Sequence, residues 1–379
     1  MAKSKKKPAK KPGRKVAQPA GNPAFDVGGI KASQVSEPIR CGVVGLGRIG
    51  WNHHAQIHQQ HPGFELVAVC DREPERIAEA VEASGCQGYR TLAPMLKNEA
   101  VELVVVATPS KFHEPMALKA LQAGKHVLVE KPSALKVSGI DKMIRAARKA
   151  GTVLTMHHNY RLNPEYLTVR EIIDAGTLGD VFRIKRTVNG FSRRNDWQVL
   201  RKYGGGMTGN WGVHLVDQGV QLLGAPVKTV WGSVHHHFNP GDAEDDIKAI
   251  IEGVNGVVID VDMTSVDASK RPSWIVCGTR GTLWIQDGVI HLKYTAKRLP
   301  KLEPNDMHLA LGRKYGVQPK PDSIKWKEEL REVKPRKKYA SYYDNLYRAV
   351  REGGPLLVSP ESARDTYDVL DRIKKGSGF

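Results

Sequence analysis

The feature that most constrains the fold is a glycine-rich turn between two apolar runs. Residues 39–44 form the first run, and G-L-G-R-I-G follows at positions 45–50. A second apolar run over 64–70 ends at Asp71, at about the 20-residue spacing from the last glycine that the acid of a dinucleotide-binding unit shows. The order of strand, glycine turn, helix, strand and acid therefore predicts a βαβ unit that binds a dinucleotide.

Each residue type in this turn has a physical role. Gly45 permits the tight turn, Gly47 lets the backbone approach a pyrophosphate, and Gly50 allows the helix to pack closely on the strand. The Asp71 carboxylate can accept hydrogen bonds from ribose hydroxyls and would repel a 2′-phosphate, which favours NAD. Arg72 could bind that phosphate instead, so NADP stays open.

The next part of the chain alternates between β-like and helical segments. Apolar runs over 101–107, 126–129 and 153–157 are separated by helical patterns over 113–123 and 139–150. Such alternation predicts a doubly wound parallel sheet, whose ligands lie beyond the carboxyl ends of the strands. Thr108, Glu130, Lys131 and Asn159 fall at those ends. We predict a dinucleotide-binding Rossmann domain over 38–160.

Beyond residue 160 the pattern changes. After a helix over 165–174, long β-like segments occur at 181–188, 227–237, 249–264, 274–286 and 289–294, with a single helix over 207–223. Successive strands predict a large, mostly antiparallel sheet with an open face. The fold class is thus α/β, a Rossmann sheet followed by an α+β substrate-binding and oligomerisation domain over 161–379. Residues 296–338 are predicted to be a surface insertion, and the C-terminal helices could pack back on the Rossmann domain.

Several longer motifs carry a family resemblance. They are G-L-G-R-I-G at 45–50, A-T-P-S-K-F-H at 107–113, E-K-P at 130–132, N-Y-R-L-N-P at 159–164 and G-G-G-M-T-G-N-W-G-V-H-L-V-D at 204–217. Together they resemble the glucose-fructose oxidoreductase and inositol dehydrogenase (Gfo/Idh/MocA) family of NAD(P)-dependent oxidoreductases. The resemblance implies NAD(P) as cofactor, a carbohydrate or polyol as substrate, and pairing of subunits through the open sheet into dimers or tetramers.

The resemblance also indicates the catalytic groups. Lys131 is the cation expected beside the nicotinamide and the reacting hydroxyl, and His214 is the expected proton acceptor. The family places an acid four residues before this histidine, but Asn210 stands there. Either the pair works more weakly or the reaction is not a simple alcohol oxidation; Asp217 is a conceivable substitute partner, and Arg161 could brace its loop through a carboxylate.

The predicted site is summarised by two sets of residues. The cofactor set is Gly45, Leu46, Gly47, Arg48, Ile49, Gly50, Asp71, Arg72, Thr108, His113, Glu130, Lys131 and Asn159. The substrate set is Lys131, His158, Tyr160, Arg194, Trp197, Asn210 and His214. No metal site is predicted.

Three functions are compatible with these residues. The first is transfer of a hydride between a sugar or polyol carbinol and a nicotinamide. The second is a redox-assisted, NAD-dependent glycosidase or lyase, which the asparagine at 210 keeps open. The third is a non-catalytic NAD-binding module, which the presence of Lys131 and His214 disfavours.

Charge and composition bear on partners and compartment. The formal net charge is +18, and eight basic residues without an acid lie within residues 1–16. We predict that residues 1–37 are a disordered basic tail that binds nucleic acid only non-specifically, if at all. No apolar run approaches the roughly 20 residues that a bilayer span needs, so no membrane association is predicted. The four cysteines are scattered, which favours a reducing, cytoplasmic compartment.

Overall fold

The computed structural model describes residues 29–301, 324–333 and 342–379. The predicted basic tail lies outside these ranges except for residues 29–37. In that short stretch the backbone N–H groups of Gly29 and Ile30 donate to the Asp344 carboxylate, at 2.6 and 3.2 Å. Residues 29–37 are therefore packed against the C-terminal part of the chain, and the prediction of disorder remains for residues 1–28.

The first sheet is a six-stranded parallel sheet with strand order β3-β2-β1-β4-β5-β6. Its central strand is buried on both faces, as expected when helices cover a parallel sheet on both sides. This order is that of the Rossmann fold, which confirms the predicted fold class. The strands are β1 (Ile39–Val44), β2 (Phe64–Cys70), β3 (Gln87–Tyr89), β4 (Leu103–Val106), β5 (His126–Val129) and β6 (Leu154–Met156).

The second sheet has eight strands in the order β14-β13-β12-β11-β7-β10-β9-β8. It is antiparallel except where β10 runs parallel to β7. The outermost strand, β14, lies within the segment that was predicted to be a surface insertion; residues 326–332 are mostly exposed, and they pair with β13 as an edge strand that was not predicted. The strands are β7 (Val181–Asn189), β8 (Val227–His235), β9 (Asp246–Gly253), β10 (Val258–Thr264), β11 (Trp274–Gly278), β12 (Gly281–Gln286), β13 (Val289–Thr295) and β14 (Trp326–Glu332).

The helices connect and cover the two sheets. Two π-helical turns, Gly50–Ala55 and Thr208–Gly212, precede α1 and α7 and lie at the predicted site. Helices α2 and α5 end at Gly85 and Gly151, whose φ values of 69° and 65° are left-handed. The α-helices are α1 (Gln56–Gln60), α2 (Pro74–Ser84), α3 (Leu92–Leu96), α4 (His113–Gln122), α5 (Val137–Ala150), α6 (Pro164–Asp174), α7 (Val213–Leu223), α8 (Tyr342–Arg351) and α9 (Pro360–Lys374).

The C-terminal helices return to the first sheet. The Tyr342 hydroxyl of α8 donates to the carbonyl of Met156 at 2.8 Å, and Arg351 forms a two-point ion pair with Glu102, with both distances 2.9 Å. Helix α9 packs against α5 and α7. This packing joins the carboxyl ends of the first sheet to the start of α7, which places the predicted site residues close together. Within the described ranges, every helix is too short or too polar to cross a bilayer.

Candidate functional site

The glycine turn after β1 is shaped for a close-lying ligand. Gly45 has a φ of 90°, and a Cβ atom there would lie 2.8 Å from the backbone of Ala107. A Cβ at Gly50 would collide with the Gly45 oxygen, whereas one at Gly47 would meet no atom within 4 Å. Gly45 and Gly50 are thus required by packing, and Gly47 faces open space. This arrangement fits a pyrophosphate on the backbone N–H groups of residues 45–50.

Asp71 braces this turn from the end of β2. One carboxylate oxygen accepts the Leu46 N–H at 2.6 Å, and the other accepts the Glu73 N–H at 2.9 Å. The Arg76 guanidinium is 3.7 Å away, and Arg72 is exposed. Each carboxylate oxygen keeps a lone pair for a ribose hydroxyl. The sequence analysis missed Arg76, although its place in the first turn of α2 after the ribose acid could have indicated it.

Thr108, His113 and Asn159 lie at the strand ends where they were expected. The Thr108 hydroxyl is buried and has no hydrogen-bond partner among the described residues, which fits a polar group of a cofactor at this edge. His113 is instead engaged by the protein, because its two ring nitrogens lie 2.8 and 2.6 Å from the carbonyl oxygens of Pro132 and Thr108. Its position supports the loop that carries Lys131.

Glu130 is enclosed by histidines. Its Oε1 lies 3.0 Å from His54 Nε2 and 2.6 Å from His157 Nδ1, and its Oε2 accepts the Lys131 N–H at 3.0 Å. Although burial alone raises the pKa of Glu130, the contacts with His157 and His54 outweigh it and lower the pKa well below its usual range. The His54 ring also contacts the Tyr343 hydroxyl at 2.7 Å. Histidines spaced along the first helix were the sequence signal for this cluster.

Lys131 and Asn210 are in direct contact. The Lys131 Nζ donates to the Asn210 side-chain oxygen at 3.0 Å and to its backbone carbonyl at 2.9 Å. Burial lowers the pKa of Lys131, while the nearby Glu130 carboxylate opposes that decrease. Asn210 lies within the π-helical turn over Thr208–Gly212, four residues before His214. The residue at the family's acid position therefore orients the lysine.

His214 lies at the start of α7 and is 5% exposed. Its ring stacks on Tyr160 with centroids 4.1 Å apart, and Trp211 packs edge-on at 6.3 Å. Burial lowers the pKa of His214 well below its usual range, and the Lys131 ammonium adds to the decrease. The ring is consequently neutral at physiological pH, the form that can accept a proton.

Asp217 is not the partner of His214, which corrects the alternative considered from the sequence. Its carboxylate accepts two hydrogen bonds from the Arg161 guanidinium, at 2.9 and 2.6 Å, which confirms that Arg161 braces its loop through a carboxylate. The same carboxylate contacts His158 Nδ1 at 3.0 Å and the Thr366 hydroxyl at 2.9 Å. These buried contacts fix the start of α7 to β6 and α9.

The loop before α7 carries Arg194 and Trp197. The Arg194 guanidinium pairs with Asp196 at 2.7 Å, and its backbone N–H donates to Asn239 at 2.8 Å. Trp197 opens a short 3₁₀ turn that Asp196 caps. Both side chains are partly exposed. The charges of Arg194 and Arg48 both act on Lys131 and oppose its protonation, so these arginines border the same site.

Family models match both halves of the chain in the expected order. Residues 39–158 match the oxidoreductase family model described as an NAD-binding Rossmann fold, and residues 166–284 match the GFO/IDH/MocA C-terminal domain. The chain belongs to the Gfo/Idh/MocA oxidoreductase family. The glycine turn and Asp71 lie within the residues that match the NAD-binding Rossmann model.

Individual relatives agree with this assignment. The scyllo-inositol 2-dehydrogenase (NADP(+)) of Bacillus subtilis is 22% identical over 92% of this chain and 96% of its own length. The D-glucoside 3-dehydrogenase of Escherichia coli is 32% identical over 53% of this chain and 59% of its own. The crystal structure of an NAD-binding protein from Listeria innocua superposes with a TM-score of 0.77 at 24% identity, covering 90% of this chain and 95% of the other.

Proposed function

We propose that this protein is an NAD-dependent dehydrogenase that oxidises a carbinol carbon of a sugar, polyol or sugar derivative, with NADP as a second possible cofactor. The observation that carries the proposal is the placement of a cation and a neutral imidazole at the carboxyl edge of the Rossmann sheet. Lys131 and His214 both lie against the start of α7. Two relatives with carbohydrate or inositol names support the substrate class.

The residues divide the chemistry between them. Bound NAD would supply the hydride acceptor, held by the backbone of residues 45–50 and by Asp71. The Lys131 ammonium would stabilise the negative charge that develops on the substrate oxygen. Neutral His214 would take the hydroxyl proton. Tyr160 and Trp211 keep the imidazole in place by ring contacts, and His158, Arg194 and Trp197 border the substrate space in this proposal.

The experiment is a screen of monosaccharides, polyols and glycosides for NADH formation, followed by kinetics of Lys131→Ala and His214→Ala. Each substitution should lower kcat by about 100-fold or more while NAD affinity stays nearly unchanged. Lys136→Ala is the matched control because Lys136 is an exposed lysine in the same loop. Equal losses in all three variants, or none in any, would contradict the proposed roles.

A redox-assisted glycosidase or lyase is the second candidate, and the Lys131–Asn210 contact favours it. An amide at this position cannot stabilise an imidazolium by charge, so a reaction that returns the hydride after elimination is compatible with the site. Turnover of a glycoside without net NADH by protein that retains NAD on purification would select this candidate. NADH accumulating in proportion to product would exclude it.

We further propose that the open face of the second sheet joins copies of this chain into a dimer or tetramer. Large apolar side chains at its surface support this, among them Trp231 at 55% and Phe182 at 47% exposure, since apolar patches on a sheet commonly mark association surfaces. Light scattering at micromolar concentration tests it, and a monomer would contradict it.

A further inference from the structure

His158 and His214 each bury a ring nitrogen that has no hydrogen-bond partner among the described residues. The two atoms are Nε2 of His158 and Nδ1 of His214, on side chains that are 0% and 5% exposed. Buried polar atoms in native proteins are normally paired, with protein or with ordered water. The role of His214 as proton acceptor does not by itself explain why two such atoms lie beside one active site.

Asp217 links the two histidines. His158 Nδ1 is held 3.0 Å from the Asp217 carboxylate. Asp217 follows His214 by three residues on α7, and side chains three apart lie on one helix face about 5–6 Å from each other. Asp217 therefore contacts one of the two rings and lies on the same helix face as the other. The charge of a protonated His158 would also reach His214 and oppose its protonation.

We propose that Asp217, His158 and His214 form a proton relay, with one bridging water between His158 Nε2 and His214 Nδ1. The proposal rests on the proposed dehydrogenase function, and it assigns His158 a catalytic task in addition to a place beside the substrate. A single water would satisfy both unpaired nitrogens, and water-mediated hydrogen bonds are nearly as favourable as direct ones. In this relay Asp217 supplies the carboxylate that Asn210 lacks, and it acts on His214 through the imidazole of His158.

The steps conserve atoms and electrons. The substrate O–H bond breaks and its proton forms an N–H bond at His214 Nε2. The Nδ1 proton of His214 passes to the water, and a water proton passes to His158 Nε2. Bound NAD would accept the hydride, with its two electrons, that the substrate carbon loses when its C–H bond breaks and the carbon–oxygen double bond forms. The proton finally rests on His158, where Asp217 stabilises the positive charge.

Charged neighbours explain why the proton should move on from His214. The titratable groups around His214 are the Lys131 ammonium, the Glu130 carboxylate, His158 and Asp217. A protonated His214 would face the lysine directly, which is unfavourable. His158 contacts the Asp217 carboxylate, which Arg161 and Thr366 also bind. The ring of Tyr367 lies 5.9 Å from the His158 ring. The relay thus moves the charge from the lysine toward a carboxylate.

His158→Asn is the discriminating substitution. The asparagine amide can replace Nδ1 as the donor to Asp217, so the structural contact is retained, but nothing replaces Nε2. We expect kcat to fall at least about tenfold with little change in the KM for NAD, and the acid limb of the pH–rate profile to move to lower pH, because the observed pKa belongs to the coupled pair. A loss of activity with an unmoved limb would show a structural role only and would overturn the relay.

His61→Gln is the matched control. His61 is a second fully buried histidine whose ring contacts a carboxylate, with Nε2 at 3.1 Å from Asp344, and glutamine can keep that donor. The control lies at the N-terminal sheet away from Lys131 and should leave kcat and the pH profile unchanged. If it reproduces the effect of His158→Asn, then loss of a buried imidazole, rather than loss of the relay, is responsible.

A second readout does not depend on turnover. Long-range 1H–15N spectra of the cofactor-free protein should show His214 protonated on Nδ1 and His158 protonated on its own Nδ1, with both Nε2 atoms bare. In His158→Asn the His214 tautomer should become mixed. Wild-type His214 protonated mainly on Nε2 would overturn the relay. If no carbohydrate is oxidised by the wild-type protein, the proposed function fails, and these spectra alone decide the relay.

Discussion

Two buried carboxylates tie the C-terminal helices to the rest of the molecule, and they are neutralised differently. Glu130 contacts two histidines, one of which reaches Tyr343 of α8. Asp217 contacts one histidine and one arginine, and it reaches Thr366 of α9. An arginine stays charged at any relevant pH, whereas a histidine can become neutral. Asp217 therefore keeps a permanent counter-charge in Arg161, whereas the counter-groups of Glu130 named here are histidines.

The largest expected effect compares removal of the two charges. Asp217→Asn should lower the free energy of unfolding by about 3–5 kcal/mol, because it leaves the 6%-exposed Arg161 guanidinium without its counter-charge. Glu130→Gln should cost less, about 1–3 kcal/mol, because it leaves no arginine without a counter-charge and weakens only the hydrogen bonds with His54 and His157. Urea unfolding at pH 7.5 measures both. A larger loss for Glu130→Gln would mean that its histidines are held as cations.

The buried histidines near Glu130 can be tested further through His58, which follows His54 by four residues. His58, one turn later, is fully buried, and neither ring nitrogen has a hydrogen-bond partner among the described residues. It stacks on Phe64 at 5.2 Å and lies edge-on to Tyr343. Burial, with His54 and His61 nearby, lowers the pKa of His58 well below its usual range. Burial of the His58 ring therefore lowers the free energy of unfolding, and no hydrogen bond among the described residues offsets that loss.

We predict that His58→Leu stabilises the protein. The gain should be about 1 kcal/mol at pH 7, from removal of an unsatisfied polar group, and about 2 kcal/mol more at pH 5. Between pH 7 and 5 the unfolded chain protonates this histidine and the folded protein does not, so the wild type loses stability on acidification and the variant avoids that loss. Urea unfolding at both pH values measures it. His61→Leu is the contrast and should destabilise at both, because His61 is paired with Asp344 and Gly63.

A third carboxylate, Asp71, extends the comparison to a group whose cationic neighbour, Arg76, is half exposed rather than buried. Asp71→Ala should change the free energy of unfolding by less than about 1 kcal/mol. It should weaken NAD binding about tenfold and narrow the preference for NAD over NADP, because the ribose partner and the brace on Leu46 are both lost. Calorimetry with both nucleotides measures this. Wild-type protein that binds NADP tenfold more tightly than NAD would contradict the assignment of Asp71.

These clusters also show where sequence reasoning succeeds. The βαβ unit was predictable because its signals are local: glycines, an apolar run and an acid at a fixed spacing. A carboxylate partner for Arg161 was considered, but Asp217 was not identified as that partner, since the two residues are far apart in sequence. Strand β14 was missed because W-K-E-E-L-R-E is mainly charged, as edge strands often are. The order of the predicted helices and strands along the chain could not show that β7 and β10 pair as parallel strands.

The π-helical turn at Thr208–Gly212 had the greatest consequence for the site. A regular helix would place residue 210 directly beside residue 214, and the sequence alone would then make Asn210 the neighbour of His214. In the structure the Asn210 side chain contacts Lys131, and the turn that carries it is π-helical. Apolar spacing leaves no mark of either feature, so both required the three-dimensional structure.

The smallest expected effect is that of Asn210→Asp, a substitution within the candidate active site. A carboxylate about 3.0 Å from the Lys131 Nζ would favour the ammonium and raise the pKa of Lys131. The basic limb of the pH–rate profile, where the lysine loses its proton, should move upward by about one pH unit, while the limb set by His214 moves less. Asn163→Asp is the matched control, because Asn163 caps α6 and either side chain can accept that hydrogen bond.

The result for Asn210→Asp distinguishes three interpretations of the active site. A shift confined to the basic limb supports the contact between residue 210 and Lys131. A shift confined to the acid limb would mean that residue 210 acts on His214 rather than on Lys131. If dehydrogenase activity appeared only in Asn210→Asp, the amide would be what prevents net oxidation, because restoring the family's acid would then be sufficient to complete a dehydrogenase. The redox-assisted cleavage would in that case become the better account of the natural reaction.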